Sequence, residues 1–243
     1  MSDVHLDETV AAKYDESLSG EFSDEVLAPT VDFLALLAQG GRALEFAIGT
    51  GRVGLPLSER GVPVTGIEFS EPMLNQLRPK PGAENLELVL GDMASTRADG
   101  TFRLVYLVYN TIMNLKEQAL QVACFNNAAN HLEPGGCFVV EVMVPRLRSL
   151  VPGEKHQPFH VSDTHIGLDE YVSFMDQTLK SHHVYNDEGR HRQIVGTYRW
   201  VWPSELDLMA QLAGMQLIER WADWDRSPFT DESDKHISVW QKP

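Results

Sequence analysis

The run Leu44-Glu45-Phe46-Ala47-Ile48-Gly49-Thr50-Gly51-Arg52-Val53-Gly54 constrains this chain more than any other segment. Its apolar start reads as a buried strand, and the glycines at 49, 51 and 54 predict a tight turn into a helix. Gly49 is expected to let the backbone turn sharply, and Gly51 to let a ligand approach it. The next strand ends in Gly66-Ile67-Glu68-Phe69-Ser70, with a carboxylate 19 residues after Gly49. Glu68 there can accept from both hydroxyls of a ribose. Strand, glycine turn, helix and carboxylate together describe a nucleotide-type site.

The identity of the cofactor turns on Glu45. The spacing Gly49-x-Gly51-x-x-Gly54 formally fits a dinucleotide. A pyrophosphate gains nothing from a carboxylate inside the first strand, whereas a ligand carrying an ammonium group does. A sulfonium cofactor with a methionine tail meets that demand. More than 40 residues of helical character also precede the first strand, whereas dinucleotide folds often open almost directly on it.

Helices are expected over 7–19 and 23–38, the second stopped by Gly40-Gly41. Strands fall near 42–48, 62–68, 85–90, 102–108 and 136–144, with the first four connections helical. This alternation predicts an α/β, doubly wound, mostly parallel sheet. The region 145–202 breaks the pattern. Its segments 171–185 and 190–202 flank the turn-forming Asn186-Asp187-Glu188-Gly189 and are expected to be antiparallel strands. A helix over 203–213 follows, begun by Pro203 and ended by Gly214. We read residues 1–243 as one domain and 145–202 as a β-rich lid inserted in it.

Four motifs in order carry a family resemblance: Glu45-x-Ala47-x-Gly49-x-Gly51, Glu68, Gly91-Asp92-Met93, and Leu132-Glu133-Pro134-Gly135-Gly136. The chain resembles the class I S-adenosylmethionine-dependent methyltransferases from about residue 10 to its C-terminus. Ala47 stands where that family most often has glycine. Within the class the chain is similar to bacterial small-molecule and peptide N-methyltransferases, which include sugar N,N-dimethyltransferases and the cypemycin-type α-N-methyltransferases. That similarity rests on Ala12-x-Tyr14-Asp15, Tyr109-Asn110-Thr111 and the helix opened by Trp202-Pro203-Ser204-Glu205-Leu206. The resemblance implies a Rossmann-like sheet ending in an antiparallel hairpin, which 215–222 and 235–241 can supply.

It also implies roles. Ala47, Gly49 and Gly51 would approach the methionine and ribose portions, and Glu68 with Phe69 would hold the ribose end. Asp92 and Met93 would flank the adenine, and Tyr109 or Asn110 would close the site. Tyr14 would sit over the methyl end. The product would be S-adenosylhomocysteine.

The acceptor side is read from chemistry. A neutral amine needs no base at the instant of attack, but the charge it gains favours carboxylates and aromatic faces. Glu141, near the carboxyl end of the fifth strand, is a candidate for that part, as Tyr171, Trp200 and Trp202 are for an aromatic wall. Six of nine histidines fall between 156 and 191. His156, His160 and His165 are not expected to bind metal, because Pro158 spoils the helical face. A single histidine acting as general base would instead serve a hydroxyl acceptor. The two cysteines, Cys124 and Cys137, are expected to be buried hydrophobes.

With 20 Lys+Arg against 35 Asp+Glu the net charge is −15, which argues against nucleic-acid and anionic-membrane partners. No apolar run approaches 18 residues and the acidic N-terminus lacks a signal-like segment, so a cytoplasmic location is expected. The reading is methyl transfer from S-adenosylmethionine to a small molecule or short peptide, at an amine nitrogen. The alternatives are an O-methyltransferase of a bacterial secondary metabolite, a non-catalytic cofactor-binding module and, disfavoured by Glu45, an NAD-type oxidoreductase.

Overall fold

The computed structural model describes residues 8–17, 23–187 and 190–243. Two sheets form among them. The larger has seven strands: β1 (Ala43–Phe46), β2 (Val64–Glu68), β3 (Glu87–Leu90), β4 (Phe102–Leu107), β5 (Leu132–Met143), β10 (Gln216–Trp221) and β11 (Lys235–Gln241). Their spatial order is β10-β11-β5-β4-β1-β2-β3. The pairs β1/β2, β1/β4, β2/β3 and β4/β5 are parallel, and β11 runs antiparallel to both β5 and β10. The Rossmann-like sheet with its C-terminal hairpin is therefore present.

Both faces of the central strands are buried, as a parallel sheet requires, while the edge strands β3 and β10 are not. Leu44, Phe46, Val105, Leu107, Phe138 and Val140 join one apolar cluster. Ala43, Leu104, Tyr106 and Val139 join another on the opposite face. The period of two along each strand thus feeds two cores. The helices are α1 (Glu8–Ala12), α2 (Tyr14–Ser17), α3 (Asp24–Ala38), α4 (Gly54–Glu59), α5 (Glu71–Leu77), α6 (Gln118–His131) and α7 (Pro203–Leu212). Of the first expected helix, residues 7, 18 and 19 lie outside the described residues.

Two expectations need correction. The third connection, 91–101, carries no helix. Local polar groups hold it as turns instead: the Ala94 amide donates to Asp92 Oδ1 at 2.8 Å, and the Asp92 amide to Thr96 Oγ1 at 2.8 Å. The region after β5 holds four strands where two were expected: β6 (His156–Val161), β7 (His165–Ser173), β8 (Thr178–Asp187) and β9 (Arg190–Arg199). They form an antiparallel sheet in that order. The expected strand 171–185 is broken at residues 174–177, where Gln177 is left-handed with φ 55°. Pro158 is tolerated in β6 because that strand lies at the sheet edge. Residues 188–189 of the turn-forming cluster lie outside the described residues.

Candidate cofactor and acceptor site

The site is built where β1, β2 and β4 end. The strand order reverses on either side of β1, so a crevice opens at the carboxyl ends of β1 and β4. Glu68, at the end of β2, is the organiser. Its Oε2 accepts from the Gly49 amide and its Oε1 from the Ser70 amide, both at 2.8 Å. The Gly91 amide also donates to its backbone oxygen at 2.8 Å. Each carboxylate oxygen keeps a further lone pair. Burial raises the Glu68 pKa, and the amides of Ser70, Gly49 and Phe69 oppose that rise. Phe69 itself is exposed.

Gly49 turns the backbone through a left-handed φ of 58°, as expected, while Gly51 has a packing reason of its own. A Cβ on Gly51, where φ is 83°, would overlap Leu77 and lie 3.1 Å from Leu55, so Gly51 is dictated by packing. At Gly49 a Cβ would meet nothing closer than the Ala47 oxygen at 3.9 Å, so the open side is there. Ala47 adopts φ 55°, a left-handed backbone that explains why glycine suits this position.

Glu45 is 3% exposed, and its Oε2 accepts from the Tyr106 hydroxyl at 3.0 Å. Burial pushes its pKa up to about 8, against the lowering effect of the Tyr106 hydroxyl, Arg52 and the Gly54 amide. The hydrogen-bond donors are neutral, so a ligand ammonium complements this carboxylate.

Asp15 ties the N-terminal helices to the glycine turn. It accepts from the Thr50 hydroxyl at 2.6 Å and pairs with Lys80 at 2.5 Å, while Lys80 also donates to the Thr50 oxygen at 2.7 Å. Tyr14 is thereby set within electrostatic reach of Tyr109, Arg52 and Glu68, and burial pushes its pKa up to about 12. Tyr109 and Asn110 are both left-handed, with φ 56° and 61°. The Arg52 guanidinium lies 4.7 Å from the Tyr109 ring centroid. Asn110 is held by the strand ends: its amide donates to the Glu141 backbone oxygen, and its Oδ1 accepts from the Met143 amide at 2.6 Å. Asp92 shapes the turn after β3, while Met93 is buried in the core.

Beside this lies a cavity of about 550 Å³ whose lining includes Arg52, Tyr109, Asn110, Glu141, Arg146 and Lys235. Glu141 is 9% exposed. It accepts from the Tyr109 amide at 3.0 Å, and from the Trp224 indole and the Lys235 ammonium at 3.2 Å each. An internal cation thus already faces it.

The three aromatic candidates form one edge-to-face cluster, with ring centroids 6.4 Å apart for Tyr171–Trp200 and 5.7 Å for Trp200–Trp202, but none of them lines this cavity. Tyr171 is fully buried and its hydroxyl accepts from the Arg146 amide at 2.9 Å. Trp200 is a core residue, and Trp202, half exposed, caps the start of α7. The aromatic residue that does approach Tyr14 is Tyr198 on β9, within electrostatic reach of both Tyr14 and Asp169; burial pushes its pKa up to about 12. Sequence reasoning missed Tyr198 and Asp169; the only available signal was the period of two that puts Asp169 on the same face as Tyr171.

His160, His165, His183 and Tyr185 stack on the second sheet, with centroid separations of 4.7 Å for His160–His165 and 4.5 Å for His165–Tyr185. Among the described residues no group of three or more His, Cys, Asp or Glu is placed to hold a metal ion.

A doubly wound sheet with a β2 carboxylate fastened to the glycine turn after β1 defines a nucleoside-binding enzyme. The chain belongs to the class I S-adenosylmethionine-dependent methyltransferases, and S-adenosylmethionine is its cofactor. Residues 43–136 match a family described as a methyltransferase domain. The chain is similar to the CcbJ methyltransferase from Streptomyces caelestis, 35% identical over 98% of each chain with a TM-score of 0.86. It is 24% identical over the full length of both chains to a cypemycin N-terminal methyltransferase from a Streptomyces species. The fold is shared with CalS10 of Micromonospora echinaspora, an amino pentose methyltransferase solved with its cofactor, at 20% identity, a TM-score of 0.71, and 93% and 95% coverage. No helix among the described residues is long and apolar enough to cross a membrane.

The residues fit this cofactor. Glu68 retains acceptor capacity for ribose hydroxyls, Gly49 leaves its open side free, and Glu45 offers a buried carboxylate to an ammonium.

Proposed function

We propose that this chain methylates an amine nitrogen of a small molecule or short peptide. The observation that carries the reading is that Tyr109, just after β4, and Tyr198, on β9, both lie within electrostatic reach of Tyr14. Attack by an amine leaves a positive charge on nitrogen, and aromatic faces and hydroxyl oxygens in a low-dielectric site stabilise it. Relatives point the same way: one is named for N-terminal methylation and another for an amino pentose.

S-adenosylmethionine, when bound, supplies an electrophilic methyl group. The protein's part is to bind, orient and exclude water. Glu68 holds the ribose and Glu45 the ammonium of the methionine tail. Asp92 and the backbone at Met93, whose side chain is buried, flank the adenine. Ala47, Gly49 and Gly51 provide the turn along which the cofactor lies, while Phe69, Tyr109 and Asn110 close it. Glu141, its charge met by Lys235, fixes the Tyr109 amide. Asp223, Asp225 and Asp234 keep the acceptor pocket acidic, and Tyr14 covers the methyl end. The second sheet acts as a lid on a single domain, with Trp202 at its root. The acidic chain acts in the cytoplasm and not on nucleic acid.

The test is a mass-spectrometric screen of amine and hydroxyl acceptors with methyl-labelled cofactor. Label in amine products supports the reading. Label confined to hydroxyl products moves the reaction to oxygen. Cofactor binding without turnover on any acceptor favours a binding module.

A further inference from the structure

One face of the second sheet carries a hydrogen-bonded file that the reaction described above does not use. In register, Asp169 pairs with Ser181, and Ser181 with Gly196. Two residues on, Gly167 pairs with His183; after two more, His165 pairs with Tyr185. All of these residues project to one face. Asp169 is 9% exposed and accepts from the Ser181 hydroxyl. Ser181 Oγ lies 3.4 Å from His183 Nε2, and His183 Nδ1 lies 3.1 Å from His165 Nε2. His165 stacks on the exposed His160. The file therefore runs unbroken from a buried carboxylate to the solvent edge.

Its inner end lies within electrostatic reach of the reaction site. A Cβ on Gly196 would lie 2.5 Å from two carbons of the Tyr198 ring and closer still to its hydroxyl, so the ring lies over Gly196 beside Ser181. Tyr198 is in electrostatic reach of Tyr14. Arg146, which lines the cavity with Glu141 and Tyr109, acts on Asp169 from the other side.

We propose that Asp169, Ser181, His183 and His165 form a proton exit path that carries the acceptor's proton from the methyl-transfer pocket to solvent. This rests on the amine reading. The nitrogen lone pair forms the N–CH3 bond as the C–S bond breaks and its electron pair stays on sulfur. The nitrogen gains the positive charge that sulfur loses. One N–H proton then passes to the Asp169 carboxylate. Protonated Asp169 donates to Ser181 Oγ, Ser181 donates to His183 Nε2, His183 Nδ1–H donates to His165 Nε2, and His165 Nδ1–H goes to water. Rotation of the serine hydroxyl and tautomer exchange of the imidazoles reset the path, with one proton delivered. Collecting a neutral amine from its ammonium form uses the same path before attack.

Burial holds the Asp169 carboxyl above the usual carboxylate range, opposed by Ser181, Arg146 and His182, so it can keep a proton briefly. Burial, with His165 and His160 on the same face and the neighbouring His182 on the other, pushes His183 down to about 4, so His183 passes the proton on and does not store it. Phe159 and Tyr185 complete its surroundings.

The path is tested in two arms on the full chain loaded with S-adenosylhomocysteine. Nitrogen-15 spectra of the histidine rings are recorded between pH 3.5 and 8 for wild type, Asp169→Asn and Ser181→Ala. The expected result is a shifted His183 titration in both variants, with cofactor-product affinity unchanged. An identical His183 titration in all three proteins overturns the path whatever the acceptor. The second arm takes an amine acceptor from the labelled-cofactor screen. His183→Ala is expected to lower kcat at least tenfold below the acceptor's pKa, and added imidazole to restore it. Lowered kcat without imidazole rescue, or no loss at all, overturns the relay even when the amine reading stands. Hydroxyl-only labelling overturns the amine reading, and the proposed amine-proton role with it, while the spectra separately report whether the path is connected.

Discussion

Raising the pH from 6 to 8 should tighten S-adenosylhomocysteine binding about 50-fold, through Glu45. This carboxyl is almost wholly buried, and burial raises its pKa from 4.5 to about 8. The sign follows directly. In the free protein the neutral acid is favoured, whereas a ligand ammonium favours the carboxylate. A pKa of about 8 leaves roughly 1% of Glu45 ionised at pH 6 and roughly half at pH 8. If only the ionised form accepts the ligand's amino group, the dissociation constant scales inversely with that fraction. Fifty-fold corresponds to about 2.3 kcal/mol. Arg52 and Glu68, which also act on Glu45, stay in place in the control variant. Calorimetry at pH 6, 7 and 8, in buffers of different ionisation heat, should show nearly one proton released per ligand at pH 6. Glu45→Gln should bind with a flatter pH dependence. A wild-type affinity that varies less than about threefold, or an unchanged slope in Glu45→Gln, would refute the reasoning. Without ligand the linkage reverses: the stability associated with neutral Glu45 is fully present below pH 4.5 and is lost as pH rises through about 8.

Glu68→Ala removes the acceptor of the Gly49 and Ser70 amides together with the ribose contact. Charged hydrogen bonds are worth about 1.5–3 kcal/mol each, so cofactor affinity by calorimetry should fall more than tenfold, and a change below about twofold would sink the assignment. Gly51→Ala should lower stability by about 1–3 kcal/mol in urea unfolding, because its Cβ overlaps Leu77, and Gly49→Ala should cost less. Ala47→Gly should raise the midpoint, since φ 55° costs alanine about 1 kcal/mol or more; an unchanged or lower midpoint counts against strain at that turn. His236, fully buried and pushed down to about 3, favours its neutral form. Its contribution is present above the unfolded pKa near 6.5 and is lost as pH falls toward 3, so replacing it with leucine should flatten the stability–pH curve there.

The large sheet was legible because its central strands are buried on both faces. Leu44, Phe46, Val105 and Val139 form runs that read as strands without any knowledge of partners. The connection at 91–101 was not, because Asp92 and Thr96 spend their polar groups on local amides. The edge strand β6 was hidden by Pro158, and the unity assumed for 171–185 by a turn with no glycine or proline. At the site, sequence order made the placement of Glu68 and Glu45 beside the glycine turn legible, since spacing within one unit fixes both. It could not reveal that Glu141 meets Lys235, or that Tyr198 lies over Gly196. Those contacts depend on strand register between segments far apart in the chain.

The backbone adds a further argument about where the chemistry sits. Ala47, Tyr109 and Asn110 are left-handed without being glycine, and all three follow the carboxyl ends of β1 and β4. Each such residue costs on the order of 1 kcal/mol or more, and it persists only where neighbours over-determine it. Here the neighbours are identifiable. The Ile48 amide, just after Ala47, donates to the Ile67 oxygen, and the Gly49 amide to Glu68. Tyr109 and Asn110 are clamped by Glu141 and by the Met143 amide. The two acidic residues argued to serve cofactor and acceptor therefore also hold the strained turns. Replacing either with alanine should loosen its own turn first. Glu141→Ala should speed hydrogen exchange at Tyr109 and Asn110 while leaving Gly49 protected, and Glu68→Ala should do the reverse. Uniform acceleration at both turns in either variant would show instead that the crevice opens as one unit, so that cofactor and acceptor binding could not be separated by mutation.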